Sequence, residues 1–142
     1  MAIGAVKITG DKKVIANLNK LARRAPVGAA GALLQEAETI MKASKENFVP
    51  IDDAILKNSG QVAPPEVTPI GASVTMGYGG DAEAYALAVH EHPSQHSPPS
   101  WAGGVTFKQG GPKYLERPLR NAVPGMAVRL AVKMRAFIAR VV

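Results

Sequence analysis

Two amphipathic stripes, one near each end of the chain, limit the folds that this sequence can adopt. Near the start, apolar residues recur at helical spacing over 11–25 and again over 29–48; near the end, they recur over 115–141. An amphipathic helix is stabilised mainly by burial of its apolar face, so each stripe needs another element to cover it. The pattern predicts a helical region over 11–48 and a C-terminal helix over 113–142.

Prolines are expected to interrupt both regions. The Ala25-Pro26 step should end or bend the first helix, because proline lacks the backbone N–H of a continuing helix and disfavours helical geometry in the residue before it. The same reasoning ends the helical region before Pro50 and predicts a kink at Pro124 in the last helix. The N-terminal region is therefore predicted to be a pair of helices.

The middle of the chain favours strands. Apolar residues alternate with small or polar ones over 72–78, which is typical of a half-buried strand, and residues 79–81 form a turn. Residues 85–91 alternate in the same way and can supply the partner strand, giving a β-hairpin region over 70–92. A helical interpretation of 82–91 stays open because alanine, the best helix former, is abundant there.

A long loop is predicted over 93–112, a stretch rich in glycine and proline that also contains Trp101 and Phe107. Loops of this length tend to be functional or disordered, and exposed aromatic side chains there would need a partner to cover them. The whole chain of 142 residues is the size of one domain. We predict a single α+β domain over 1–142, in which the C-terminal helix packs on a small antiparallel sheet.

Composition excludes some classes of protein. The chain has no cysteine, so the fold must depend on packing or on partner subunits rather than on disulfides. No apolar stretch is long enough to cross a bilayer, and the first residues do not form a secretory signal, so no membrane association is expected.

The charge is concentrated at one end. Residues 113–142 contain seven basic side chains and one acidic side chain, which gives +6, whereas residues 1–112 contain ten of each sign. This basic helix favours either an anionic neighbour, such as DNA or an acidic protein face, or a solvated surface. The candidate contacts are Arg129, Lys133 and Arg140.

All three histidines fall within twelve residues, as His90, His92 and His96. In a strand, His90 and His92 would share one face and could reach a common metal ion. Their spacing is not a zinc signature and lacks the helical pattern that pairs two ligands with a base. We interpret the cluster as a strand end and a polar loop, with a metal-dependent hydrolase that uses the three histidines as the rival interpretation, and we predict no metal site, no cofactor and no catalytic residue.

Three stretches together resemble the tail-component or neck (tail-completion) protein family of long-tailed bacteriophages. They are VPIDDAILKNS at 49–59, YALAVHEHP at 85–93 and KYLERPLRNAV at 113–123. The positions that match the motifs of this family are Pro50, Leu56, Ser59, Tyr85, Ala86, Val89, Glu91, Leu115, Arg117, Pro118 and Leu119.

The resemblance implies a structural virion protein that is made in the host cytoplasm and lies at the head–tail junction. It implies a homo-oligomeric ring, with a hexamer as the first expectation and a dodecamer as the second, that contacts other neck and tail proteins and, non-specifically, the DNA passing through its channel. The expected subunit-interface residues are Trp101, Phe107, Tyr85, Leu87 and Val89. The alternative is a small basic DNA-binding protein that uses its C-terminal helix.

Overall fold

The structure is a computed structural model that describes residues 10–50, 54–91 and 110–141. Within these ranges, five α-helices and four short strands alternate with single turns of π-helix and 3-10 helix. The helices are α1 (Asp11–Ala43, followed by a π-helical turn over Ser44–Phe48), α2 (Ile55–Ser59), α3 (Glu83–Glu91, preceded by a 3-10 turn over Gly80–Ala82), α4 (Glu116–Ala122) and α5 (Met126–Val141). The strands are β1 (Gln61–Val62), β2 (Glu66–Thr68), β3 (Gly71–Ser73) and β4 (Met76–Gly77). The α+β class is confirmed.

Helix α1 is continuous, so the prediction of two N-terminal helices is wrong. Its 33 residues span about 50 Å and include Pro26 in the interior. A proline there removes one helical hydrogen bond, but Pro26 is buried and lies beside Val67 and Pro69 at the β2–β3 hairpin. Packing on both sides of α1 therefore outweighs the tendency of Pro26 to end the helix, which was the basis of the sequence prediction.

Helix α5 packs along α1, which corrects the prediction that it lies on the sheet. The close approach is made at Gly28, where a Cβ atom would lie 2.5 Å from Cδ1 of the Phe137 ring. One turn further on the same side of α1, the buried residue Ala32 is also small. Small residues on this side of α1 thus leave room for Phe137 of α5.

We expect opposite results from the same substitution at two glycines of α1. Gly28→Ala should lower the free energy of unfolding by about 1 kcal/mol, because overpacking against Phe137 exceeds the gain in helix propensity. Gly31→Ala should raise it by about 1 kcal/mol, because a Cβ at Gly31 meets nothing within 4 Å. Urea unfolding of both variants measures the difference; equal stabilisation by the two would contradict the packing described for Gly28.

The strands form two small antiparallel pairs rather than one hairpin over 70–92. Strand β1 pairs with β4, and β2 pairs with β3, with Val67 opposite Ala72. Strands β1, β2 and β3 all contact α1. Residues 85–91, predicted as a strand, belong to α3, so the helical interpretation of that stretch is the correct one.

The C-terminal region is two helices separated at Val123-Pro124-Gly125, where a kink was predicted. Gly125 has a φ of 81°, a left-handed conformation that glycine adopts without strain. Both α4 and α5 contact α1. No helix in the described ranges is both long and apolar enough to cross a membrane.

Candidate functional site

The three stretches that carry the family resemblance meet in one hydrophobic cluster, here called the motif core. Its buried members are Val49, Leu56, Ala82, Ala86 and Tyr114, and the half-buried side chains packed on them are Phe48, Tyr78, Tyr85, Val89 and Leu115. Each stretch contributes at least two of these residues. Residues that are distant in the sequence are therefore joined in space at a single place.

Tyr114 occupies the centre of the motif core and is 2% exposed. Its hydroxyl donates a hydrogen bond to the carbonyl of Ala86 at 2.7 Å. The rings of Tyr78 and His90 each meet its ring edge-on, with centroids 4.9 Å apart. Burial raises the pKa of Tyr114 to about 12, so its hydroxyl keeps its proton and remains a donor.

Ser44, in the π-helical turn that follows α1, joins this network from the other side. Its Oγ donates to the carbonyl of Tyr114 at 2.6 Å and lies 2.7 Å from the hydroxyl of Tyr78. Since the serine proton is directed at Tyr114, the Tyr78 hydroxyl donates to Ser44. Burial also raises the pKa of Tyr78. The polar groups of the core thus hold α1, α3 and the segment before α4 together.

A network of charged side chains covers the outer edge of the core. Glu91 accepts from Nδ1 of His90 at 2.9 Å and pairs with Lys113, which also lies 3.4 Å from Glu116. Arg120 pairs with Glu116 at 2.6 Å. Lys113, and to a smaller extent His90, hold the pKa of Glu91 below its ordinary value. These contacts tie the end of α3 to the start of α4.

Most of the remaining motif positions also make structural contacts. Pro50 and Pro118 are buried, and the Ser59 hydroxyl donates to the carbonyl of Leu56 at 2.9 Å. The guanidinium of Arg117 lies 5.1 Å from the centre of the Phe48 ring, a cation–π contact. Leu119 faces solvent.

A close backbone approach also fixes the chain next to the core. Gly110 has a φ of 84°, and a Cβ there would lie 2.4 Å from the carbonyl oxygen of Val49. The N–H of Gly111 donates to the carbonyl of Phe48 at 2.9 Å. Only glycine fits at residue 110 without moving the backbone of Val49.

The predicted interface residues separate into three groups. Tyr85 and Val89 pack into the motif core of their own chain, whereas Leu87 is 72% exposed on the opposite face of α3. Trp101 and Phe107 lie outside the described residues, as do His92 and His96 of the histidine cluster.

His90 is held by Glu91 and Tyr114, and no group of three histidine, aspartate or glutamate side chains suited to a metal ion occurs in the ranges that the structure describes.

Two of the three candidate cations for DNA are engaged within the chain. Arg129 donates to Oε2 of Glu36 through Nε at 2.9 Å, and Lys133 donates to Oε1 at 2.7 Å. Arg129 also donates to the carbonyl of Ala122 at 2.8 Å, across the break between α4 and α5. These hydrogen bonds, first from Arg129 and then from Lys133, lower the pKa of Glu36. Arg140 is exposed and forms no ion pair with another described residue.

Sequence reasoning missed Glu36, Ser44 and Tyr114. Glu36 carried a signal, because it falls between Leu33 and Ile40 at helical spacing and thus on the apolar face of α1. A carboxylate on such a face needs a cationic partner, and the basic last helix is the obvious source. Ser44 and Tyr114 gave no comparable signal, since their hydrogen bonds join segments that are 70 and 28 residues apart.

Comparisons with protein-family models, with curated proteins and with solved structures found no match to this chain.

Proposed function

We propose that the chain is a structural subunit of a tailed-bacteriophage neck, a tail-completion ring that joins the tail to the head. The observation that supports this most is the convergence of the three family-like stretches on the motif core. Residues that recur in a motif because they react with a substrate would surround an accessible pocket. Here most of them pack against each other or form hydrogen bonds and ion pairs within the chain instead, as expected where the motif specifies a shape.

The proposed ring consists of identical subunits, with six as the first proposal and twelve as the second. In this proposal the outer surfaces of the subunit contact its copies and the other neck and tail proteins, while the cations of the C-terminal helix contribute a positive potential to the channel. DNA would pass through the channel with non-specific contacts to phosphates, because those contacts need no base readout. The subunit carries out no covalent chemistry.

The test asks whether infectious particles are lost when the gene is deleted and restored when the purified protein is added. We expect that deleting the coding sequence from the phage or prophage that carries it leaves filled heads and finished tails that do not join. Adding the purified protein to that lysate should restore plaque formation. Joined particles and an unchanged plaque titre after the deletion would contradict the proposal.

A matched control keeps the restoration test specific. The Gly110→Val variant should not restore plaques, because its side chain collides with Val49 beside the motif core. The Gly31→Val variant places the same side chain on an open surface of α1, where nothing lies within 4 Å, and should restore them.

A further inference from the structure

One side of α1 is basic over its first half. Every charged side chain in residues 12–24 is a lysine or an arginine, and no acidic residue occurs between Asp11 and Glu36. At 3.6 residues per turn, these five cations fall within about 120° of the helix circumference. All of them are exposed. The five cations, here called the basic face, are Lys12, Lys13, Lys20, Arg23 and Arg24.

The apolar side chains of the same stretch lie on the opposite side of the helix. Val14, Ile15 and Leu18 are displaced by roughly half a turn from the centre of the basic face, and Asp11 lies on their side. The basic face therefore presents a single sign of charge along about 18 Å of helix.

The cations of the basic face are not used to hold the fold together. Cations elsewhere in the chain contact a carboxylate or an aromatic ring, as do Lys42, Lys113, Arg117, Arg120, Arg129 and Lys133. None of the five on the basic face forms an ion pair within the part of the chain that the structure describes. Their charge is thus available to a partner.

Three cations of the basic face also repel each other. Lys20 comes three residues before Arg23 and four before Arg24, so like charges occupy neighbouring positions on the helix surface. Pairs of like charge at this spacing destabilise a helix, whereas a carboxylate four residues before an arginine stabilises it. The basic face therefore carries a cost to the fold that a bound anion would remove.

The composition of the basic face indicates the kind of anion. Between Lys12 and Arg24 it contains no aromatic residue, and Ala16 is the one apolar residue in the same sector. A protein interface has an apolar core from which lysine is depleted, whereas an interface with nucleic acid is more polar and strongly positive. The basic face is of the second kind.

The spacing of the cations also suits a duplex. They form two groups along the helix, one at residues 12–13 and one at residues 20–24, whose centres are about 15 Å apart. The major groove of DNA is about 12 Å wide, so each group can reach the phosphates of one strand.

A bilayer fits this arrangement less well. A helix that lies on a membrane buries its apolar side at the boundary between headgroups and acyl chains. Because the basic face is opposite Val14, Ile15 and Leu18, burial of those side chains in lipid would turn the cations away from the anionic headgroups.

We propose that the basic face of α1 binds the phosphate backbone of duplex DNA without reading its sequence. The inference rests on the proposed neck function, in which DNA passes through the ring. It places the direct phosphate contacts on α1, since Arg129 and Lys133 of the C-terminal helix are already held by Glu36.

The contact is tested by fluorescence anisotropy of a labelled mixed-sequence duplex over a series of salt concentrations. Arg23→Gln with Arg24→Gln should lower the affinity at least about tenfold and reduce the slope of log affinity against log salt by about 2, because two phosphate contacts are lost. The matched control is Arg135→Gln with Arg140→Gln, two exposed arginines of α5. It makes the same change in charge and should alter the slope by less than about 0.5. Equal effects of the two double variants overturn the proposal, as does a parent that does not bind the duplex.

A second variant separates binding from folding. Lys20→Glu should also weaken duplex binding at least about tenfold, while the free energy of unfolding stays the same or rises, because a carboxylate there pairs with Arg23 and Arg24. Urea unfolding and anisotropy on the same preparation measure both quantities. Duplex binding equal to that of the parent, or a loss of binding that comes with a loss of stability, overturns the proposal.

Competing probes identify the class of anion. Polyglutamate and phosphatidylserine vesicles are added to the complex of the parent with the duplex. If either is bound more tightly than the duplex and with the same dependence on Arg23 and Arg24, the basic face serves an acidic protein or a lipid surface and the proposal is wrong.

The outcomes also separate this contact from the neck function. If the parent restores plaques but does not bind the duplex, the inference for the basic face is wrong and the neck function stands. If it binds the duplex through α1 but deletion of its coding sequence leaves the plaque titre unchanged, the neck function is wrong and the basic face stands as a DNA-binding surface.

Discussion

A Tyr114→Ala variant is expected to lose about 4 kcal/mol of unfolding free energy, a large share of the roughly 5–15 kcal/mol that stabilises an ordinary domain. The substitution empties the centre of the motif core and removes both ring contacts, with Tyr78 and with His90. It also deletes the hydroxyl that binds the carbonyl of Ala86. Urea unfolding followed by circular dichroism measures the loss, at one fixed protein concentration because the proposed assembly would add to apparent stability.

The control is Tyr114→Phe, which keeps the ring and removes only the hydroxyl. It should cost about 1 kcal/mol, the net contribution of one hydrogen bond. The carbonyl of Ala86 still lies within α3, so it does not become a buried acceptor without a partner. If alanine costs no more than phenylalanine, Tyr114 is not the centre that joins the three stretches.

The second large effect is expected at Glu36. Glu36→Gln should lower the free energy of unfolding at neutral pH by about 2 kcal/mol, because it leaves Arg129 and Lys133 without their common counter-ion. Both cations are partly exposed and can turn towards water, so the loss falls below that of a fully buried pair. The pH dependence follows from the lowered pKa of Glu36.

A carboxylate with a lowered folded-state pKa contributes stability that is complete above its ordinary pKa of 4.5 and is lost as the pH falls through the folded-state pKa. The gap in stability between the parent and Glu36→Gln should therefore be widest at neutral pH and close below 4.5. The control is Glu38→Gln, at an exposed position two residues on, which should change stability by less than about 0.5 kcal/mol. A gap that is the same at neutral and acidic pH would contradict the ion-pair assignment.

The helical stripes could be predicted from the sequence because helical periodicity accumulates over many residues. The break between α4 and α5 could be predicted as well, because Pro124 disrupts a helix through its own backbone. Pro26 misled the prediction, because the rule for proline describes an isolated helix and not one held between a hairpin and α5. The pairs β1–β4 and β2–β3 contain strands of two or three residues, which are too short to show a period.

The sequence of α3 is compatible with a helix as well as with a strand. The alternation of Tyr85, Leu87 and Val89 suggested a strand, but Ala82, Tyr85, Ala86 and Val89 also follow the helical spacing of i, i+3, i+4 and i+7. These four residues are the ones that pack into the motif core. The competing pattern depended on Leu87, which faces solvent. Leu87 is exposed, although its spacing matches a buried position of a strand. The sequence alone does not distinguish an exposed leucine from a buried one.

The candidate site was only partly within reach of the sequence. The motif stretches indicated which segments contribute to the candidate site. That these segments meet at Tyr114 depends on how the chain folds around α1, which the sequence does not show. Charge counting located the basic helix but attributed Arg129 and Lys133 to an outside partner. In the structure both cations pair with Glu36, whose place on the apolar face of α1 indicates that it needs a cation but does not specify which residues, more than 90 positions away, supply it.

The central claim is that this chain acts by assembling with copies of itself, and the mass of the purified parent protein in solution tests it most directly. Light scattering or native mass spectrometry over a range of concentrations should show a closed oligomer with one fixed copy number, a multiple of the 14.9 kDa subunit. A mass that stays at one subunit at every concentration, or that grows without limit as the concentration rises, would contradict the claim.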